Sequence, residues 1–291
     1  MTIDKAQKGR NFDRDPTACQ ITEARGHLLS LFQDFDALVE EYPSTFMHRS
    51  PLTSMAIDDQ ALKPYLMTTE VQYALSSCID HLQTVRNLTA ADLVPNLATY
   101  TLIRSAIEHA SLAMWFLDPD DQNERRKRVL VQAATGAKLV ENALEGIENA
   151  VTISFDAKLL KINEVAASLG LDIITKSDIR SSGIKSRVTW SGMVLQTLGV
   201  GTDGSNLIST VWQSASGIAH ANSSAALMLL NRRALVDHED TQSTTFHIST
   251  SEVEISRIFQ LSIYLLAAVL HLAKHRAGLE MAKYPSFGMG L

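Results

Sequence analysis

The sequence predicts a mainly α fold: a bundle of about seven helices with one small β-hairpin near residues 226–249. Three observations predict it. Apolar residues recur at helical spacing through most of the chain. Two segments are apolar nearly all round, as buried central helices are. Period-two alternation is convincing only in Thr244-Thr245-Phe246-His247-Ile248-Ser249.

The elements follow in order. Residues 1–18 read as a flexible tail, and 19–291 as a single helical domain. A first helix runs from about Thr22 to Glu40, with Leu28, Leu31, Phe32 and Phe35 on its apolar face. Pro43, Pro51 and Pro64 then punctuate a loop. Val71, Leu75, Cys78, Leu82 and Val85 form an unbroken stripe along a second helix, Thr68 to Leu88. The third, Leu93 to Leu117, is apolar on almost every side and belongs at the centre. At Asp118-Pro119 a fourth helix is expected to begin, with Asp118 as its N-cap and Pro119 at its first position. Asp120, Asp121 and Glu124 would complement its positive end, and it would continue to about Asn149.

A shorter helix follows from Asp156 to Leu169, stopped by Gly170. Periodicity then dissolves, so 171–190 reads as a long loop carrying Lys176, Arg180, Lys185 and Arg187. A further central helix spans Ser205 to Ala221. Ala226 to Val236 is strand-compatible, and Asp237 to Ser243 would be the turn of the hairpin. The last helix opens at Ser251, with Glu252 and Glu254 in its first turn. Its apolar run, Ile258 to Ala273, contains Gln260, Ser262 and His271 and falls short of the roughly 20 residues of a bilayer span. It reads as a core helix, not as a membrane segment.

Composition limits the function classes. The 291 residues hold 26 Lys plus Arg against 32 Asp plus Glu, a net charge of −6. That balance argues against a broad basic nucleic-acid face but leaves room for a small basic cleft. An apolar content of 45% suits a well-cored protein. Two cysteines, Cys19 and Cys78, cannot supply a disulfide framework or a cysteine-rich zinc site. The first residues are charged and carry no signal-peptide core, so a cytoplasmic location is expected.

Two constellations carry candidate chemistry. On the third helix, Arg104, Glu108 and Ser111 share one stripe, and Ser105 and His109 share the next. Charges in so apolar a helix need partners. They form either an internal salt bridge joining helices or an anion site. In the second case Arg104 would meet phosphate and His109 would act as acid or base. The other constellation is Trp212, Ser216 and His220 on one face of the later central helix. Two central helices with polar stripes are natural neighbours, so His220 is expected to face Arg104 and Glu108. The alternative is a histidine packed at a helix C-terminus.

Weaker signals remain. Gly199-Val200-Gly201-Thr202-Asp203-Gly204 fits G-x-G-x-x-G but lacks the surrounding β–α units, so it reads as a turn. The run Glu124-Arg125-Arg126-Lys127-Arg128 reads as a solvated face, or as one wall of a phosphate-binding cleft whose other wall is the basic segment 176–187. The remaining histidines are scattered without ligand spacing, so neither a metal nor a cofactor is expected.

The Arg-x-x-x-Glu helix leading into Trp115-Phe116-Leu117-Asp118-Pro119, the arginine-rich segment after it, and Trp212-x-x-x-Ser216-x-x-x-His220 together resemble a group of uncharacterised, mostly actinobacterial helical proteins of similar length. The resemblance covers about residues 68–275 and implies no established activity. A looser resemblance is to the HEPN superfamily of helical bundles, through Arg104 and His109 with four residues between them. It implies a metal-independent ribonuclease of anti-phage defence, toxin–antitoxin or stress systems, acting as a homodimer. Arg104 would bind RNA phosphate, His109 or His220 would act as acid or base, and Glu108 would orient them.

Two function classes therefore stand after the sequence. One is a non-catalytic binding or regulatory module with a protein partner, in which Arg104, Glu108 and His220 form a structural network. The other is the ribonuclease, taking RNA at a small basic site.

Overall fold

The computed structural model describes residues 2–4, 16–47, 50–93, 95, 97–145, 147, 154–200, 206–238 and 243–285. The fold is mainly helical with a small antiparallel sheet. Its helices are α1 (Ala18–Glu41), α2 (Ser44–Met47), α3 (Ser54–Leu62), α4 (Met67–Ala90), α5 (Ala98–Leu117), α6 (Gln122–Leu144), α7 (Phe155–Ser168), α8 (Lys176–Ser181), α9 (Ile184–Thr197), α10 (Leu207–Ala219), α11 (Ser223–Leu229) and α12 (Glu252–Arg276). The strands are β1 (Thr2–Asp4), β2 (Asn231–His238) and β3 (Ser243–Ser249).

The two all-round apolar segments are the centre, as their patterns require. α5 packs against α4, α9, α10 and α12. α12 lies between α5 and α1, where Phe259 meets Phe32 and Phe35 edge-to-face. It is the one described helix long and apolar enough to cross a membrane, yet 72% of its apolar window is buried inside the protein. Burial against two helices accounts for its composition.

More helices are present than the seven expected. The proline-punctuated stretch after α1 holds α2 and α3. The segment 171–190, read as a loop, holds α8 and the first half of α9. A capping box between Thr175 and Asp178 starts α8. α9 escapes a periodicity search because its buried face is Arg187, Val188, Ser191, Gly192 and Leu195. The spacing is helical, but three of those five side chains are not hydrophobic. Gly192 is fixed by close approach: an added Cβ would lie 1.7 Å from Asn206 Oδ1. Asn206 needs that space because the same oxygen accepts the Ser209 N–H that starts α10.

Other boundaries move for local reasons. Asp118 keeps helical dihedrals and ends α5, and Asp121 caps α6 instead. The α6 helix stops at Leu144, short of Asn149, which lies outside the described residues. The hairpin starts at Asn231, not Ala226, because Asn222 caps α11 over part of the expected strand. β2 and β3 pair antiparallel with an irregularity between Ala234 and Val236. Within the segment read as a tail, Thr2–Asp4 pairs with β3, giving the sheet order β1-β3-β2. The turn residues 239–242 and residues 201–205, which hold most of the glycine pattern, lie outside the described residues.

Candidate functional site

The polar stripe of α5 is placed at the junction with α10. Arg104 Nε donates to Glu108 Oε1 at 2.9 Å, one helical turn away. The same oxygen accepts the indole N–H of Trp212 from α10 at 2.8 Å. The Arg104 and Glu108 side chains keep 21% and 17% of their exposure, so this pair is partly hydrated. α5 and α10 are thus neighbours, but Trp212, not His220, makes the bridge. His220 caps the far end of α10 and is exposed. Eight residues along a helix separate it from Trp212 by about 12 Å. Among the described residues its side chain makes no hydrogen bond.

His109 sits on the adjoining stripe. Its Nδ1 lies 2.7 Å from the Ser105 carbonyl oxygen, and its ring packs beside His81 at 5.6 Å and Tyr73 at 6.4 Å between centroids. Burial and the neighbouring His109 lower the His81 pKa below its ordinary value.

A larger polar assembly surrounds the α5–α6 junction. Asp58 of α3 is fully buried and holds two arginines: Arg125 Nε and Nη2 each lie 2.9 Å from Oδ2, and Arg126 Nε lies 2.9 Å from Oδ1. Arg125 also donates to the carbonyls of Pro119 and Asp120. Arg276, in the last turn of α12, donates to the carbonyls of Leu117, Asp118 and Pro119 and to the Asp120 carboxylate. The Asp118 carboxylate accepts from Trp190 Nε1 and from the Tyr284 hydroxyl, and Lys283 lies 3.2 Å away. The arginine-rich segment is therefore partly internal, because these carbonyls and carboxylates take its charge.

The other side of the same segment forms a cleft. Its volume is 230 Å³, and Trp115 of α5, Lys127 and Arg128 of α6, Asp178 of α8, Ser182, and Ser186 of α9 help to line it. The walls come from the two segments that the sequence suggested could face each other, but 176–187 contributes Asp178 and three serines, and Lys176, Arg180, Lys185 and Arg187 do not line the cleft. Lys127 Nζ lies 3.5 Å from Asp178 Oδ1. Arg128 stacks on Trp115 and Trp190, at 5.2 and 5.1 Å from the ring centroids, and pairs with Glu124.

Behind Trp115 lies Arg187, 7% exposed, with its guanidinium 4.6 Å from the indole centroid. It forms no ion pair or side-chain hydrogen bond among the described residues, and its Nε is buried without a partner. Burial pulls its pKa down to about 10, and Glu70 of α4 opposes the shift through space. Burial also raises the Glu70 pKa.

No family model, curated protein or solved structure matches the chain. The site must therefore be read from its own geometry. Among the described residues no cluster of three potential metal ligands occurs. Sequence reasoning did not single out Asp58, Arg276 or Trp190. The available signal was an Asp58-Asp59 pair in an otherwise unremarkable segment, and its partners are far away in the chain.

Proposed function

We propose that the protein is a non-catalytic binding or regulatory module in which the α5 polar stripe is structural. The observation that carries this reading is the double use of Glu108 Oε1, which accepts both Arg104 and Trp212. A carboxylate engaged in this way locks α5 to α10. It does not orient an acid or base, which must reach its proton within about 3.2 Å or through one water. The His109 Nδ1 is taken up by its own helix, and His220 stands away at the exposed end of α10. On this reading the functional contact is with a ligand or a protein partner.

One observation favours a second reading, the metal-independent ribonuclease. His81 and His109 lie side by side on a half-buried face, and Arg104 is five residues from His109 on the adjoining stripe of α5. Two adjacent imidazoles suit acid–base cleavage of a phosphodiester, and a second copy of the chain would complete such a site. The test is incubation of the purified protein with single-stranded RNA in a metal chelator. The binding-module reading expects intact RNA. Cleavage that disappears in both Arg104→Ala and His109→Ala would replace it with the ribonuclease.

A further inference from the structure

We propose that His81 and His109 together bind one Zn²⁺ ion in tetrahedral geometry, with water in the remaining positions. The site deepens the binding-module reading, with the metal as its ligand, and rests on that reading. The two rings come from different helices, His81 from α4 and His109 from α5, which pack against each other. His109 Nδ1 lies 2.7 Å from the Ser105 carbonyl oxygen. A carbonyl can only accept, so Nδ1 carries the proton and Nε2 of the neutral ring keeps its lone pair. Ligating histidines are oriented by the same kind of contact, their other N–H held by a carbonyl or carboxylate. His81 is half-buried beside that ring and makes no hydrogen bond among the described residues. Polar groups withdrawn from water normally find a partner. One metal ion satisfies both rings.

The separation of the rings fits a shared ion. Zinc lies about 2.0–2.1 Å from a ligating imidazole nitrogen, and so about 3.2 Å from the ring centroid. Two rings on one ion are then about 5.2 Å apart between centroids at the tetrahedral angle, and about 4.5 Å apart at a right angle. The His81 and His109 centroids are 5.6 Å apart, with the ring planes tilted by 48°. A small ring rotation reaches the tetrahedral value, whereas the right-angle value requires the helices to close. The spacing therefore favours Zn²⁺ over Cu²⁺, whose tetragonal geometry sets neighbouring ligands at right angles.

The surroundings suit a cation that stays in contact with solvent. Asp80 and Glu108 are close enough to act on His81 through space. Arg104 offsets Glu108, and Asp80 has no ion pair among the described residues. Asp80 and Tyr73 are exposed on the same face, so water reaches it. Two protein ligands make an open, exchangeable site and not the closed four-ligand cage of a structural zinc, in keeping with the lack of a three-ligand cluster among the described residues. His271 and His275, one turn apart on α12, make no ring contact among the described residues, and their rings meet the carbonyls of Ala282 and Glu280. They serve as the control pair.

Calorimetric titration of the full, chelator-stripped chain with zinc chloride tests this, in a buffer that does not ligate zinc. One ion should bind per chain, and Co²⁺ at the same site should show the intense visible absorption of a tetrahedral complex. His81→Gln and His109→Gln should each weaken zinc binding about tenfold or more. The double variant His271→Gln, His275→Gln should bind zinc as the wild type does. If neither His81→Gln nor His109→Gln folds, NMR of the wild type decides: zinc should move the imidazole signals of His81 and His109 ahead of those of the other histidines. No zinc binding, the weak visible spectrum of octahedral Co²⁺, unchanged affinity in a folded His81 or His109 variant, or weakened binding in the control variant would overturn the proposal. So would NMR shifts that begin at other histidines. RNA cleavage in the chelator would overturn the module reading whether or not zinc binds, and absent zinc binding would overturn this inference whether or not RNA is cut.

Discussion

Asp58→Ala is the most informative single perturbation of the fold. Asp58 is 0% exposed and is shared by Arg125, which is 2% exposed, and Arg126. Removing the carboxylate leaves a buried guanidinium without its counter-ion, a change that costs about 3–5 kcal/mol. Arg125 would keep its bonds to the Pro119 and Asp120 carbonyls, which places the loss in the lower part of that range. At about 2 °C per kcal/mol for a chain of this size, the melting temperature should fall by about 6–8 °C. Circular dichroism melts of purified protein measure it. Asp58→Asn, which keeps volume and an acceptor but not the charge, should fall between the two. A decrease of less than about 2 °C for Asp58→Ala would refute the premise that this carboxylate compensates a desolvated charge.

Three further outcomes are expected. Glu108→Ala removes the shared acceptor of Arg104 and Trp212, but the pair is partly hydrated, so urea denaturation should show a loss of about 1–2 kcal/mol; a loss equal to that of Asp58→Ala would contradict its exposure. His81 has a folded pKa below its ordinary 6.5, so its neutral form is favoured in the fold. Its contribution to stability is present above 6.5 and is lost as pH falls from there through the folded value. NMR titration should place its midpoint below 6.5 and find it raised in His109→Gln, and an unmoved midpoint would exclude the His109 effect. Cys78 is 1% exposed and burial pushes its thiol up to about 12, whereas Cys19 is exposed. Iodoacetamide at about pH 8 should alkylate Cys19 in the native protein and Cys78 only after unfolding; mass spectrometry showing two native adducts would refute the burial.

The candidate site was legible in part. Arg104 and Glu108 stand out in sequence because a helix places them one turn apart, and their ion pair needs nothing beyond that helix. The bridge to α10 was legible as a need for a partner, not as the identity of that partner. Trp212 and His220 share a face, but only the crossing of the two helices selects which of them meets Glu108. The two basic segments were visible as charge, and which of their residues line the cleft was open.

The sequence by itself determined the helical class, the central positions of α5 and α12, and the hairpin. Each follows from a periodicity of 3.6 or 2 residues that acts within one segment. Tertiary structure alone decided which charges are internal. Asp58 reaches Arg125 across 67 residues, and Arg276 reaches Leu117 across 159. It also decided that 184–197 is a helix, because the face that α9 buries mixes arginine, serine and glycine with only Val188 and Leu195, too weak an apolar pattern to mark the helix without the neighbours it meets. Burial and pairing depend on contacts between distant segments, and no local pattern encodes them.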